Sequence, residues 1–124
     1  LWALANGAGG EIFVPKIPSY HINDVAEAIA PNITPTIIGM RPGEKIHEEM
    51  ITSSDSATTW DLGPYFAILP QNSTFIEQHY LKCQGIERVP EGFSYQSGTN
   101  PDFLTVPEIR SLILKYIDPG FAPI

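Results

Sequence analysis

Apolar residues recur along this chain in two rhythms, and each change of rhythm marks an element. The run Glu11-Ile12-Phe13-Val14 is short, β-branched and apolar, and predicts a strand over about 11–15. Pro15 and Pro18 keep it from continuing as a paired central strand. In His21–Ala30 the rhythm changes: Ile22, Val25, Ala26 and Ile29 follow the i, i+3, i+4, i+7 spacing of a helix face, with Asn23 or Ser19 as cap and Pro31 as stop. Thr36-Ile37-Ile38-Gly39-Met40 predicts a second strand, and a short helix over about 44–51 places Ile46 and Met50 on one face.

Two strands about a tight turn follow, Thr58–Leu62 and Tyr65–Leu69 on either side of Gly63-Pro64. Residues 70–103 are rich in Pro, Gln, Ser and Gly, with a helix over about 74–84. Thr105-Val106-Pro107-Glu108 is a capping box with Pro in the first turn, ahead of Ile109, Leu112, Ile113 and Tyr116 at helical spacing, so a last helix runs over about 106–117. Strands and helices interleave, which makes the fold class mixed α/β (α+β).

At 124 residues with 43% apolar and 17% charged, the chain suits a single domain, 1–124, with one core. A lone Cys83 allows no internal disulfide and no paired-Cys zinc site, which points to a reduced, intracellular setting. Apolar runs such as Tyr65–Leu69 are far below the roughly 20 residues of a membrane helix, so no membrane partner is expected. Fourteen acidic against seven basic residues give a net charge of −7, which argues against nucleic acid and leaves room for a small anionic metabolite held locally. The sequence opens at Leu1 without an initiator Met or a signal-peptide pattern, and reads as a piece of something longer.

The most informative local feature is Gly39-Met40-Arg41-Pro42-Gly43-Glu44-Lys45-Ile46-His47-Glu48, where a strand end turns into a helix start. Two readings stand side by side. In one, helix N–H groups and the planar Arg41 guanidinium converge on a phosphate, while Glu44 accepts hydrogen bonds from the vicinal hydroxyls of a ribose. In the other, Glu44 merely satisfies the helix N-terminus and Arg41 pairs with a surface carboxylate.

Other chemistry is sparse. His47-Glu48-Glu49 lacks the second histidine of a metalloprotease helix, and His21 and His79 lie far off in sequence, so no metal site is assigned. Asp55 with Asp61, or Glu48 with Glu49, are read as solvated charge rather than an acid–base pair. Gly7, Gly9 and Gly10 precede a strand instead of joining a strand to a helix, and form no dinucleotide fingerprint. No tyrosine is followed four residues later by lysine. No catalytic residue is assigned.

Three segments carry a family resemblance: Gly10–Ser19, Arg41–Glu48 and Val89–Tyr95. They resemble, in order, the C-terminal part of inverting UDP-N-acetylglucosamine 4,6-dehydratases, extended short-chain dehydrogenases of polysaccharide biosynthesis. The likeness extends to Ser97, Thr99, Asn100 and the last helix. It implies a small substrate-binding portion without the complete Rossmann sheet. In that family an N-terminal Rossmann portion binds NADP and holds the catalytic residues, so this chain is expected to be inactive alone and to carry no cofactor site. The resemblance implies that Arg41 contacts the diphosphate and Glu44 the nucleoside of a UDP-sugar. It also implies a cytoplasmic lyase supplying sugars for surface polysaccharide or flagellin glycans. One departure is Ala57, where many relatives carry Arg. Apolar surface that would face the Rossmann portion is expected around Trp2, Leu4, Ile12, Phe13 and Val14, to be covered by that domain or by self-association; a non-enzymatic, self-associating interaction module is the alternative function.

Overall fold

A two-residue Gly63-Pro64 turn, with Gly63 at φ 86°, closes the hairpin that organises much of the fold. Leu62 N–H donates to Tyr65 O across it (2.8 Å), and Asp61 Oδ1 accepts from Gly63 N–H (2.8 Å). The computed structural model describes residues 1–72 and 74–124. Its elements are α1 (Trp2–Asn6), β1 (Ile12–Pro15), α2 (Ile22–Ile29), β2 (Glu49–Ile51), a 3₁₀ helix (Ser53–Thr58), β3 (Thr59–Asp61), β4 (Tyr65–Ile68), α3 (Thr74–Leu81), β5 (Glu87–Arg88), β6 (Tyr95–Gln96) and α4 (Val106–Tyr116). They gather into two compact units: Leu1–Lys16 with Glu49–Gln96, and Ile17–Glu48 with Ser97–Ile124.

The first unit is built on an antiparallel sheet in the order β1-β4-β3-β5. Trp60 pairs with Ala67 and Asp61 with Phe66 in the hairpin, while Val14 lies opposite Phe66 on the other side. β1 is an edge strand, where Pro15 leaves no central ladder bond unmade. One apolar cluster joins Trp60, Ala67, Leu69, Ile76 and Tyr80; a second joins Val14, Ile51, Phe66 and Val89. Tyr80 brings α3 against the sheet, its ring 6.2 Å from that of Trp60. Trp2 of α1 stacks on Tyr65 at 4.2 Å and meets the edge of Phe13 at 5.4 Å.

The second unit packs α2 against α4. Its buried apolar residues among those described are Ala28 and Ile109. The Thr105–Glu108 box caps α4 as predicted: Oε2 of Glu108 accepts from Thr105 N–H (2.8 Å) and Oγ1 (2.6 Å). Thr105 accordingly holds the Glu108 carboxyl below its ordinary range. At the far end of α2, Arg110 donates to two of the carbonyls that a helix C-terminus leaves unmet.

The fold class, the strand over 11–15, the hairpin and the last helix agree with the sequence reading, but two elements do not. Thr36–Met40 is an irregular exposed segment, with Ile37 93% exposed. A strand needs a neighbour for its N–H and C=O groups, and none pairs with this segment among the described residues. The helix over 44–51 is also absent: the chain turns at Gly43 (φ 87°), and its last residues form β2, which pairs with β6. Eight residues are too few for a helix without a packed face, and Ile46 is 74% exposed. In α2 the cap is His21 rather than Asn23 or Ser19, and Ala28 is the residue turned fully inward while Ile22 is 75% exposed.

Candidate functional site

Arg41 and Glu44 share one exposed turn of the second unit. Glu44 N–H donates to Arg41 O (3.1 Å), and Arg41 N–H donates to Glu44 Oε2 (2.7 Å). The other carboxylate oxygen stands 3.7 Å from Arg41 Nε, and both side chains are open to solvent. An exposed pair of this kind contributes up to about 1 kcal/mol, so an incoming anion displaces it at little cost. Because no helix begins at Glu44, the expected N-terminal dipole and free N–H groups play no part here. What remains for an anion is the guanidinium itself, with its planar, two-pronged donor face. Lys45 follows directly and is exposed.

Both ends of the segment that carries this turn are held by one short stretch, Ser97–Asn100. Glu48 N–H donates to Ser97 Oγ (3.0 Å) and Ser97 N–H donates to Glu48 O (2.8 Å). Gly98 lies under the His47 imidazole; a Cβ there would stand 2.8 Å from Cγ, Nδ1 and Cδ2 of the ring. Asn100 Nδ2 donates to Ile17 O (2.8 Å) and to Ser19 Oγ (3.0 Å). Ser19 then exchanges backbone bonds with the next residues, donating to Asp102 O and accepting from Leu104 N–H, both at 2.8 Å. Periodicity along the chain gives no hint of these contacts, which join residues 49 to 85 positions apart.

The remaining candidates have structural occupations. Asp55 accepts from Thr52 N–H (3.1 Å) and Oγ1 (2.6 Å) at the start of the 3₁₀ helix. Asp61 binds Lys16 Nζ at 2.6 Å, and that ammonium also lies 4.4 Å from the Phe66 ring centre. His21 stacks on Phe103 and His79 meets the edge of Tyr80. Among the described residues no group of three or more His, Cys, Asp or Glu side chains is placed to hold a metal. Ala57 is exposed within the 3₁₀ helix, where it brings no charge.

The glycine-rich loop does not suit a dinucleotide. Ala8 N–H and Gly9 N–H both point at the Glu11 carboxylate, at 2.7 Å each, so the donors a pyrophosphate would use are already taken by an anion. Tyr80 OH donates to the same carboxylate at 2.9 Å. Partial burial pushes the Glu11 carboxyl up, but the donors from Ala8, Glu11 itself, Tyr80 and Gly9 outweigh it and leave the group below its ordinary range. Burial, and then this carboxylate, push the Tyr80 phenol far up.

The apolar patch expected around β1 is only partly there. Leu4 and Ile12 are exposed, but Val14 is buried, and Phe13 and Trp2 pack against their neighbours. The larger exposed apolar residues of the second unit include Ile37, Ile38, Met40 and Ile46.

Pen from Bacillus thuringiensis, solved by X-ray crystallography, aligns with a TM-score of 0.69 and 30% identity over 91% of this chain and 33% of its own. A UDP-N-acetylglucosamine 4,6-dehydratase (inverting) of Campylobacter jejuni subsp. jejuni is 41% identical over 109 residues, 85% of this chain and 33% of the relative. A UDP-glucose 4-epimerase of Rickettsia typhi is 31% identical over 118 residues, 92% of this chain and 34% of the relative. The chain thus spans about a third of the length of these relatives. In class it is a mixed α/β fragment-sized fold with small antiparallel sheets, shared with part of a larger protein. Residues 1–70 match the family described as "Polysaccharide biosynthesis protein", and the chain belongs to that family. The resemblance to the inverting dehydratases read from its motifs is borne out. No helix among the described residues is long and apolar enough to cross a membrane.

Proposed function

We propose that this chain is the nucleotide-sugar-binding portion of a cytoplasmic UDP-N-acetylglucosamine 4,6-dehydratase that makes sugars for surface polysaccharide or flagellin glycans, and that it turns nothing over alone. In this reading Arg41 grips the diphosphate and Glu44 the nucleoside, as a guanidinium and a carboxylate suit those two groups. The observation that carries the reading is the exposed Arg41–Glu44 turn in a chain 41% identical to such a dehydratase. The catalytic residues and the NADP site belong to another portion of the longer protein.

Calorimetric titration with UDP and UDP-N-acetylglucosamine tests the reading. Weak binding that Arg41→Ala removes supports it, and no heat at millimolar ligand overturns it. A turnover assay supplied with NADP should be blank.

A second reading, a self-associating interaction module, is favoured by the exposed Ile37 (93%), Ile38 (75%), Met40 (65%) and Ile46 (74%) in one stretch of the second unit. Light scattering separates the two: a monomer that binds UDP supports the first, and an oligomer indifferent to UDP supports the second.

A further inference from the structure

We propose that Ser97–Asn100 is a positioning strap for the Arg41–Glu44 turn, a role that rests on the UDP-sugar reading above. Within its unit the segment Ile17–Glu48 is held near both ends by the strap, and between them α2 packs on α4. At the start, Asn100 Nδ2 bridges Ile17 O and Ser19 Oγ; at the end, Ser97 and Glu48 exchange two hydrogen bonds. Between these anchors the segment has α2 as its one regular element, and the stretch from 32 to 48 is exposed throughout. Such a stretch has little burial to fix it, so its conformational entropy is limited from its ends, by α2 on α4 at one and by the Glu48–Ser97 pair at the other.

Two further details make the hold specific. Gly98 lets the strap pass close under the His47 ring: a Cβ there would stand 2.8 Å from three ring atoms, and the exposed ring would have to swing away. Asn100 also accepts Asp102 N–H on Oδ1 (3.2 Å), so its amide is oriented and its two donor bonds are aimed. Ser97, Gly98 and Asn100 are therefore positioning residues. None has to touch the ligand to set where Arg41 and Glu44 stand.

The test uses the whole chain with UDP as probe, and reads two quantities in parallel: backbone hydrogen exchange of residues 41–48 and UDP affinity. Ser97→Ala should speed exchange over 41–48 and weaken UDP by about tenfold, the scale of one lost hydrogen bond, and Gly98→Ala, which loses none, should move both in the same direction by less. Ser97→Thr, which keeps the hydroxyl, should restore both. Both tryptophans, Trp2 and Trp60, lie in the first unit, so the unfolding midpoint read by tryptophan emission should stay at the parent value. Unchanged exchange over 41–48 in both alanine variants overturns the strap. Faster exchange with unchanged UDP affinity overturns its positioning role. Failure of the parent chain to bind UDP overturns the functional reading instead, and exchange alone then decides whether the strap holds the segment.

Discussion

Oε2 of Glu44 accepts the backbone N–H of Arg41 at 2.7 Å while Oε1 faces the same residue's guanidinium at 3.7 Å. One carboxylate thus shapes the turn and also partly neutralises the cation it presents. Under the proposed function these roles separate on substitution. Glu44→Gln should tighten inorganic pyrophosphate by up to about fivefold, the scale of an exposed pair worth at most about 1 kcal/mol, and should lower the preference for UDP over pyrophosphate. Titration of both ligands at low ionic strength measures the two effects, and equal affinities for parent and variant would show that Glu44 does not restrain Arg41.

Arg110 links the two helices of the second unit, with Nε donating to Ala28 O (3.0 Å) and Nη2 to Glu27 O (2.9 Å). A cation at a helix C-terminus is favoured by the dipole as well as by the orphan carbonyls. Arg110→Ala should destabilise this unit by about 1–3 kcal/mol, read as faster hydrogen exchange in α2. Arg110→Lys should recover only part, because a single ammonium lacks the planar fork that meets two carbonyls at once.

Acid should loosen the N-terminal loop through Glu11. Its folded carboxyl titrates below the ordinary value of 4.5, so the unfolded chain binds the proton more readily. The stabilisation is fully present above that value and is lost as pH falls through the lower, folded value. Glu11→Gln should therefore be less stable than the parent at neutral pH, with the difference shrinking in acid. Urea midpoints across that window check it; a constant difference would mean that ionisation of Glu11 is not what fastens the loop.

Trp60 is 2% exposed, and its indole N–H has no partner among the described residues. Trp60→Phe removes that unmet donor along with some packing, so the two effects oppose each other and the loss should be below about 1.5 kcal/mol. Trp60→Ala leaves a large hole between Ala67, Leu69, Ile76 and Tyr80, and should cost about 3–5 kcal/mol. Thermal unfolding followed by circular dichroism distinguishes the pair.

Ile12–Pro15, the Gly63-Pro64 hairpin and α4 were legible because each carries its own instruction: a β-branched run, a glycine able to take positive φ, a capping box with a following apolar face. The same local signals misled at Thr36–Met40 and Glu44–Ile51. A strand exists only beside another strand, and a short helix only against a surface; among the described residues neither segment has the partner its pattern calls for. Arg41 and Glu44 could be named from their motif, but not their mutual pairing.

By itself, then, the sequence determined the mixed α/β class, the family and the chemical types at the candidate site. Only the tertiary structure decided that Ser97, Gly98 and Asn100 reach back to Glu48, His47, Ile17 and Ser19. The physical reason is range. Periodicity and capping are interactions among residues a few positions apart, whereas a contact spanning 49 or 83 positions is set by how the whole unit closes, and leaves no trace in local spacing.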